Sequence, residues 1–335
     1  MLLFQNKQFN LCKMKIISFS ISFVLFLLPT FLGAQKKSEF LPEKPGKWTY
    51  RSNINRPGTE AAAFNKNLAV LAEWVHQNIP MLTNPKGFDL LATSSVIWDD
   101  QYKKNICNYG LRSEMNFAFQ LFLSDLAGGG KWVVEPPHYS FYINNTKAGH
   151  GGRIREGKTG SLLADLFVVF PMVEEITPGV RYYDRGTLVV YNPERPEYWL
   201  PVTVKEVVQA KLEDCKDDKF MYDFIKPLID NMSEGELNAP AFNQSDDGIL
   251  KVNGNGDGLQ YMRFNPNYWD KSLPHSAIQF ISFYYSEYGY FTNNKEEEEI
   301  ANKEFISNNG RINYPFEINK SLPLKELPRL ITKDK

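Results

Sequence analysis

The chain has 335 residues, enough for one large domain or two ordinary ones, and its 43% apolar and 23% charged content suits a packed core rather than disorder. A formal charge of −1 leaves no excess of cations for a nucleic-acid-binding surface of any size. The 24 Phe, 17 Tyr and 6 Trp suit β-sheets, and Tyr and Trp also suit binding surfaces because each joins an apolar body to a polar tip.

The N-terminus carries the most specific pattern. Lys13 and Lys15 precede an apolar run, Ile16–Leu32, and Leu32-Gly33-Ala34 closes it with small residues before Gln35. This is the layout of a secretory signal peptide, so residues 1–34 are expected to be removed, with Met14 as an alternative start. A run of 17 residues with Pro29 near its end is short for a membrane span. Cys12 lies before the run rather than at the cleavage site, which closes the route to a lipid anchor. The expected location is periplasmic or secreted, with no membrane span after removal. Cys107 and Cys215 then remain, and an oxidising compartment makes a disulfide between them a candidate. Closing so long a loop would contribute about 4–5 kcal/mol in the chain-entropy model.

Lys36–Arg56, polar with Pro42, Pro45 and Gly46, reads as a leader on the surface. Thr59 is placed to cap a helix in which Phe64, Leu68, Leu71 and Val75 recur at helical spacing, ending near Asn78 before Pro80. Strands follow. Gly87–Trp98 is apolar and β-branched. In Leu111–Leu123, Phe117, Phe119, Leu121 and Leu123 fall on one face, with Asn116, Ala118 and Gln120 on the other. Gly128-Gly129-Gly130 reads as a turn, and Trp132–Ile143 as the next strand. The apolar run Ser161–Val173 comes after a glycine-rich loop, and Gly179–Tyr191 reads as a hairpin around Asp184-Arg185-Gly186.

Thr203-Val204-Lys205-Glu206 is a capping box, with Val202 and Val207 at the staple positions and Val204, Val208 and Leu212 as the buried stripe. Asp217–Met232 reads as a second helix whose apolar stripe is Phe220, Phe224 and Leu228, interrupted by Pro227. Residues 233–247 read as a linker. Beyond it, Ile249–Val252 and Leu259–Phe264 read as a hairpin, Ala277–Tyr285 as a strand and Lys295–Ile306 as a charged helix. Arg311–Ile318 reads as a last strand and Leu322–Ile331 as a short tail broken by Pro323 and Pro328. One helix followed by strands joined by turns predicts an α+β fold, a mainly antiparallel sheet with packed helices. The main domain is expected over 35–232, with a smaller C-terminal α+β unit over 248–335.

The loop Gly149–Gly160 holds five glycines in twelve residues with His150, Arg153, Arg155 and Lys158. Within it, residues 152–159 match the phosphate-loop pattern G-x-x-x-x-G-K-[ST]. Three features argue against nucleotide hydrolysis. Asn144–Gly151 separates the motif from its strand, no acidic strand end offers a second metal ligand, and export removes the chain from nucleoside triphosphates. The arginines and the lysine remain able to take an anion such as a carboxylate, a sulfate or an acidic sugar.

His138 and His150 stand either side of that strand and loop. Brought together with Glu135 or Glu156, they would make a zinc or general-base site. No pair of histidines stands at i, i+4, so no metal site is assigned. Asn253–Gly258 has the oxygens and glycine of half a calcium loop, but Phe264 stands where a bidentate glutamate is required, so it reads as turn chemistry. No G-x-S-x-G occurs. Tyr183 and Trp199, in the arginine-rich Tyr182–Trp199 segment, are candidates to stack on a sugar or peptide. The expectation is an exported, non-enzymatic binding or envelope-associated protein, needing no cofactor, that takes a glycan, peptide or anion. The alternative is a periplasmic hydrolase using His138 or His150 with a nearby carboxylate.

Overall fold

The structure is a computed structural model that describes residues 39–53, 58–97, 109–124, 136–146, 165–243, 252–254, 256, 258–284, 295–309 and 311–332. The signal-peptide segment, the glycine turn at 128–130 and the basic loop at 149–160 lie outside the described residues. In chain order the first elements are β1 (Trp48–Asn53), α1 (Thr59–Asn78), α2 (Pro80–Thr83), β2 (Phe88–Ile97), β3 (Arg112–Leu121) and β4 (His138–Ile143). Next come β5 (Leu166–Val169), β6 (Met172–Thr177), β7 (Val180–Tyr183), β8 (Thr187–Tyr191) and β9 (Trp199–Pro201). The helices α3 (Val204–Asp214), α4 (Lys219–Asp230) and α5 (Glu234–Asn238) follow, then the strands β10 (Phe242–Asn243), β11 (Val252–Asn253), β12 (Leu259–Phe264) and β13 (Phe280–Tyr284). The last elements are α6 (Lys295–Asn309), α7 (Tyr314–Ser321) and a 3-10 helix, Leu324–Leu330.

The fold is α+β, built on a mostly antiparallel eight-stranded sheet in the order β1-β2-β3-β4-β13-β8-β7-β6. Period-two alternation gives this sheet its two faces. On the first face Leu90, Ala92, Phe117, Phe119, Phe141, Ile143, Ile281, Phe283 and Val190 pack against the inward stripe of α1, against α7 and against the C-terminal 3-10 helix. The second face is covered only in part. Tyr183, Val189, Tyr191 and Phe280 meet Phe167, Val169, Trp199 and Phe264 from a second sheet, whose strands run β11-β10-β12-β5 with β9 also on β12. The opposite parity of that second sheet, Leu166, Val168 and Tyr261, packs under α3 and α4 through Val204, Val207, Val208 and Ile225. The layers therefore run helix, sheet, sheet, helix.

The helix α1 occupies the span its periodicity predicts, with Phe64, Leu68, Leu71 and Val75 all buried. Gly58 takes the N-cap position and Thr59 is the first helical residue. The capping box forms in full: Glu206 N donates to Thr203 Oγ1 at 3.2 Å and Thr203 N donates to Glu206 Oε2 at 2.8 Å. The hairpin β7–β8 turns through Asp184–Gly186, where Gly186 at φ 88° supplies the left-handed residue.

The structure departs from the sequence pattern at several places, each for a local reason. The supposed leader contains β1, because Trp48, Thr49 and Tyr50 are good strand formers. It pairs parallel to β2 with α1 as the crossover. The apolar run at 161–173 does not stay in one sheet: β5 belongs to the second sheet and β6 to the first, and the chain changes layers at Phe170-Pro171. The strands β11 and β12 flank β10 instead of pairing with each other. Arg311–Ile318 forms the start of α7 rather than a strand. Asn313 Oδ1 accepts from Phe316 N, and Pro315 sits in the first turn, where its missing N–H costs nothing. Strands from either side of residues 233–247 share both sheets. β13 lies between β4 and β8, β12 pairs with β5 and β9, and Glu39–Lys335 forms one unit.

A buried peg fixes the end of β4. Asn144, at φ 51°, donates through Nδ2 to Leu111 O at 2.9 Å and to Ala277 O at 2.7 Å. Its Oδ1 accepts from Gln279 N at 2.8 Å and Phe280 N at 3.1 Å. One side chain thus joins β4 to the entries of β3 and β13.

Candidate binding face

The side chains that β1–β4 turn away from the first core are mostly polar, and pairing register lines them up across the strands. One row runs Asn53, Ser95, Glu114, Tyr142, Ser282, Val189, Arg181, Glu175, one residue from each of the eight strands. A second row runs Arg51, Thr93, Asn116, Ser140. A third runs Thr49, Leu91, Ala118, His138. Strands lie about 4.8 Å apart, so the second row, and the first as far as Tyr142, set polar side chains at that interval across β1 to β4.

Among the described residues, the second layer packs on the β13-β8-β7 side alone. The β1-to-β4 side is left as a polar ledge beside an aromatic wall. Thr93, Ser95, Glu114, Asn116 and Tyr142 are half-buried there, and Ser140 is buried. The ledge is internally ordered. Ser140 Oγ donates to Asn116 Oδ1 at 2.5 Å, and Asn116 Nδ2 donates to Glu114 Oε1 at 3.3 Å. This relay fixes the Asn116 amide and turns it toward the only carboxylate of these two rows on β1–β4. Glu114 and Asn116 are then positioned to accept and donate toward a ligand without further ordering.

The far end of the first row is chemically closed. Arg181 makes a fork with Glu197, at 2.5 Å from Nη1 and 2.8 Å from Nη2, and its Nε lies 3.5 Å from Glu175 Oε2. Its guanidinium lies over Tyr191 at 4.5 Å and Tyr198 at 5.4 Å from the ring centroids. The hydrogen bonds from Arg181 hold the Glu197 carboxyl below the usual carboxylate range, against the effect of its partial burial. Burial pushes the hydroxyls of Tyr183 and Tyr198 upward, and those two groups share a 2.6 Å hydrogen bond. With its charges and hydroxyls engaged internally, this end anchors β6 and β7 to the segment before β9.

The sequence-predicted site residues divide three ways. Tyr183 and Trp199 are both only 6% exposed and belong to the aromatic wall's interior; Trp199 packs on Phe264 at 5.7 Å and Phe167 at 5.3 Å. A ligand cannot stack on them. His138 is exposed at the start of β4, with Nδ1 3.4 Å from Pro136 O, and the chain leaves toward position 150 from the other end of that strand. His150, Arg153, Arg155 and Lys158 lie outside the described residues. So does Cys107, and with it the expected disulfide. Cys215 takes the C-cap of α3, where Sγ donates to Leu212 O at 3.6 Å.

Two histidine–carboxylate contacts occur where sequence reasoning did not look. His76 Nδ1 lies 3.4 Å from Glu73 Oε1, and His275 Nδ1 lies 3.6 Å from Glu60 Oε1. The first was legible as an i, i+3 pair on a helix. It serves packing. Trp48 Nε1 donates to Glu73 Oε2 at 3.1 Å and the indole stacks on His76 at 4.5 Å, which ties the edge strand to α1. Burial pushes the Glu73 carboxyl upward, but hydrogen bonds from His76, Trp48 and Gln77 outweigh it and hold the group below its ordinary value. Among the described residues, no group of three or more His, Cys, Asp or Glu is placed to hold a metal ion. No helix among them is long and apolar enough to cross a membrane.

No protein-family model matches the chain, and neither a curated protein nor a solved structure matches it.

Proposed function

We propose that this is an exported, non-enzymatic binding protein that takes a neutral glycan on the polar ledge of its large sheet. The observation that carries the reading is the polar row from Asn53 to Tyr142 across four adjacent strands, lying beside a second layer that packs on the β13-β8-β7 side. Hydroxyls of Ser, Thr and Tyr both donate and accept, and an ordered amide does the same, so such a surface matches a ligand built of hydroxyl groups. Glu114 in the middle of the row disfavours an anion. Export is supported by the pattern of residues 13–34, a basic start, an apolar run and a small-residue end.

The test uses the chain from Gln35 onward, with glucose, mannose and N-acetylglucosamine oligomers as probes in calorimetric titration. Binding of at least one neutral oligomer is expected, weakened roughly tenfold, about 1.4 kcal/mol, by Asn116→Ala with folding unchanged. Failure to bind any of these oligomers, or equal binding by the variant, would overturn the reading.

A further inference from the structure

The helix α4 has two apolar stripes set one residue apart. Met221, Ile225 and Ile229 face the third core cluster, where Ile225 is 3% exposed. Phe220 and Phe224 face outward and are 79% and 52% exposed. Large aromatic side chains exposed to this degree, one helical turn apart, match the anchor spacing of a helix that docks in a groove. The surroundings are strongly acidic. From Glu213 to Glu236 the chain carries eight carboxylates and three lysines. Two of those lysines are engaged in place, Lys216 with Glu213 at 2.6 Å and Lys226 with Asp230 at 2.8 Å. Asp217 and Asp223, three residues before and after Phe220, are exposed.

We infer that the Phe220–Phe224 face is a docking surface for a protein segment that is apolar and basic. Charge decides between the possible occupants. An anionic lipid surface would be repelled by the carboxylates. A second copy related by a two-fold axis would set the same acids against each other. A lysine- or arginine-flanked apolar segment satisfies both features at once, with the aromatics as anchors and the acids as its rim. This surface is independent of the polar ledge and of any ligand there.

The test uses the chain from Gln35 onward and two synthetic helical peptides of the same pattern, one of leucine and lysine and one of leucine and glutamate. Fluorescence anisotropy is expected to show binding of the lysine peptide only, weakening as salt rises. Phe220→Ser with Phe224→Ser is expected to weaken it at least tenfold while the melting temperature stays within a degree or two. Asp217→Asn with Asp223→Asn is expected to weaken it less and to flatten the salt dependence. Equal binding of both peptides, or no loss in the double serine variant, overturns the inference. It is equally overturned if the two phenylalanines instead drive sedimentation with phosphatidylglycerol or phosphatidylcholine vesicles, or self-association measured by light scattering.

Discussion

At the scale of single residues, Asn144 holds the most. It sits in the left-handed region, which asparagine tolerates better than most side chains, and it satisfies four backbone groups from two other segments. Alanine there would leave those buried groups unpaired, at about 1–3 kcal/mol each before relaxation. Asn144→Ala is therefore expected to destabilise the protein by at least about 3 kcal/mol in urea unfolding. A change below about 1 kcal/mol would show that water or a neighbouring side chain replaces the amide. Asn116 does a related thing on the other face. It is held between Ser140 and Glu114, so its amide is presented in one orientation instead of being free to rotate. One asparagine locks strands together, and the other gives the ledge its fixed donor.

At the scale of elements, α4 shows how far a pattern reaches. Its sequence offers Phe220–Phe224 and Met221–Ile225–Ile229 as rival stripes, both at helical spacing, and nothing local ranks them. The choice is made by α3 and the second sheet, which take the narrower aliphatic stripe. Ile225→Ala is expected to cost about 2–4 kcal/mol in thermal or chemical unfolding, and Phe220→Ser less than about 0.5 kcal/mol. The reverse ranking would mean that the helix is turned the other way. The parts of the fold that were legible share one property: the signal is local. The periodicity of α1, the alternation of β3, the turn of β7–β8 and the capping box at Thr203 each need only neighbouring residues. Ser233 and Glu236 make a second capping box, equally legible, that the soft composition around it hid. The misread elements needed partners. β1 becomes a strand through β2, and β5 parts from β6 because two different sheets claim the two halves of one apolar run.

At the scale of the molecule, the ledge exists because the smaller sheet covers only part of the larger one. Sequence alone showed one stripe of it, in the Asn116, Ala118 and Gln120 alternation, but not the register that continues that stripe into β1, β4 and β13. The aromatic segment at 182–199 was legible as unusual, but tyrosine and tryptophan suit a core strand as well as a binding strand, and here Tyr183, Tyr191, Tyr198 and Trp199 lie in the packed layer between the sheets. The same architecture makes the C-terminal third indispensable. A chain ending at residue 247 lacks β12 and β13, so β4 and β8 lose their common neighbour and β5 and β9 lose theirs. Such a fragment is expected to show no cooperative melting transition by circular dichroism, and a sharp one would mean that the main sheet closes without its middle strand.

The position of β13 also sets a timetable. A ribosome adds about 5–20 residues each second, so β4 and β8 emerge several seconds before the strand that must lie between them. During that interval both present open edges rich in Val, Tyr and Phe, the composition most prone to pairing with the wrong chain. The contacts that close the sheet join positions roughly 140 residues apart, as Ile143 with Ile281 does, which places the protein among slow folders. A chain held extended until its whole length is across a membrane would meet β4, β8 and β13 together, and would never pass through the half-built sheet.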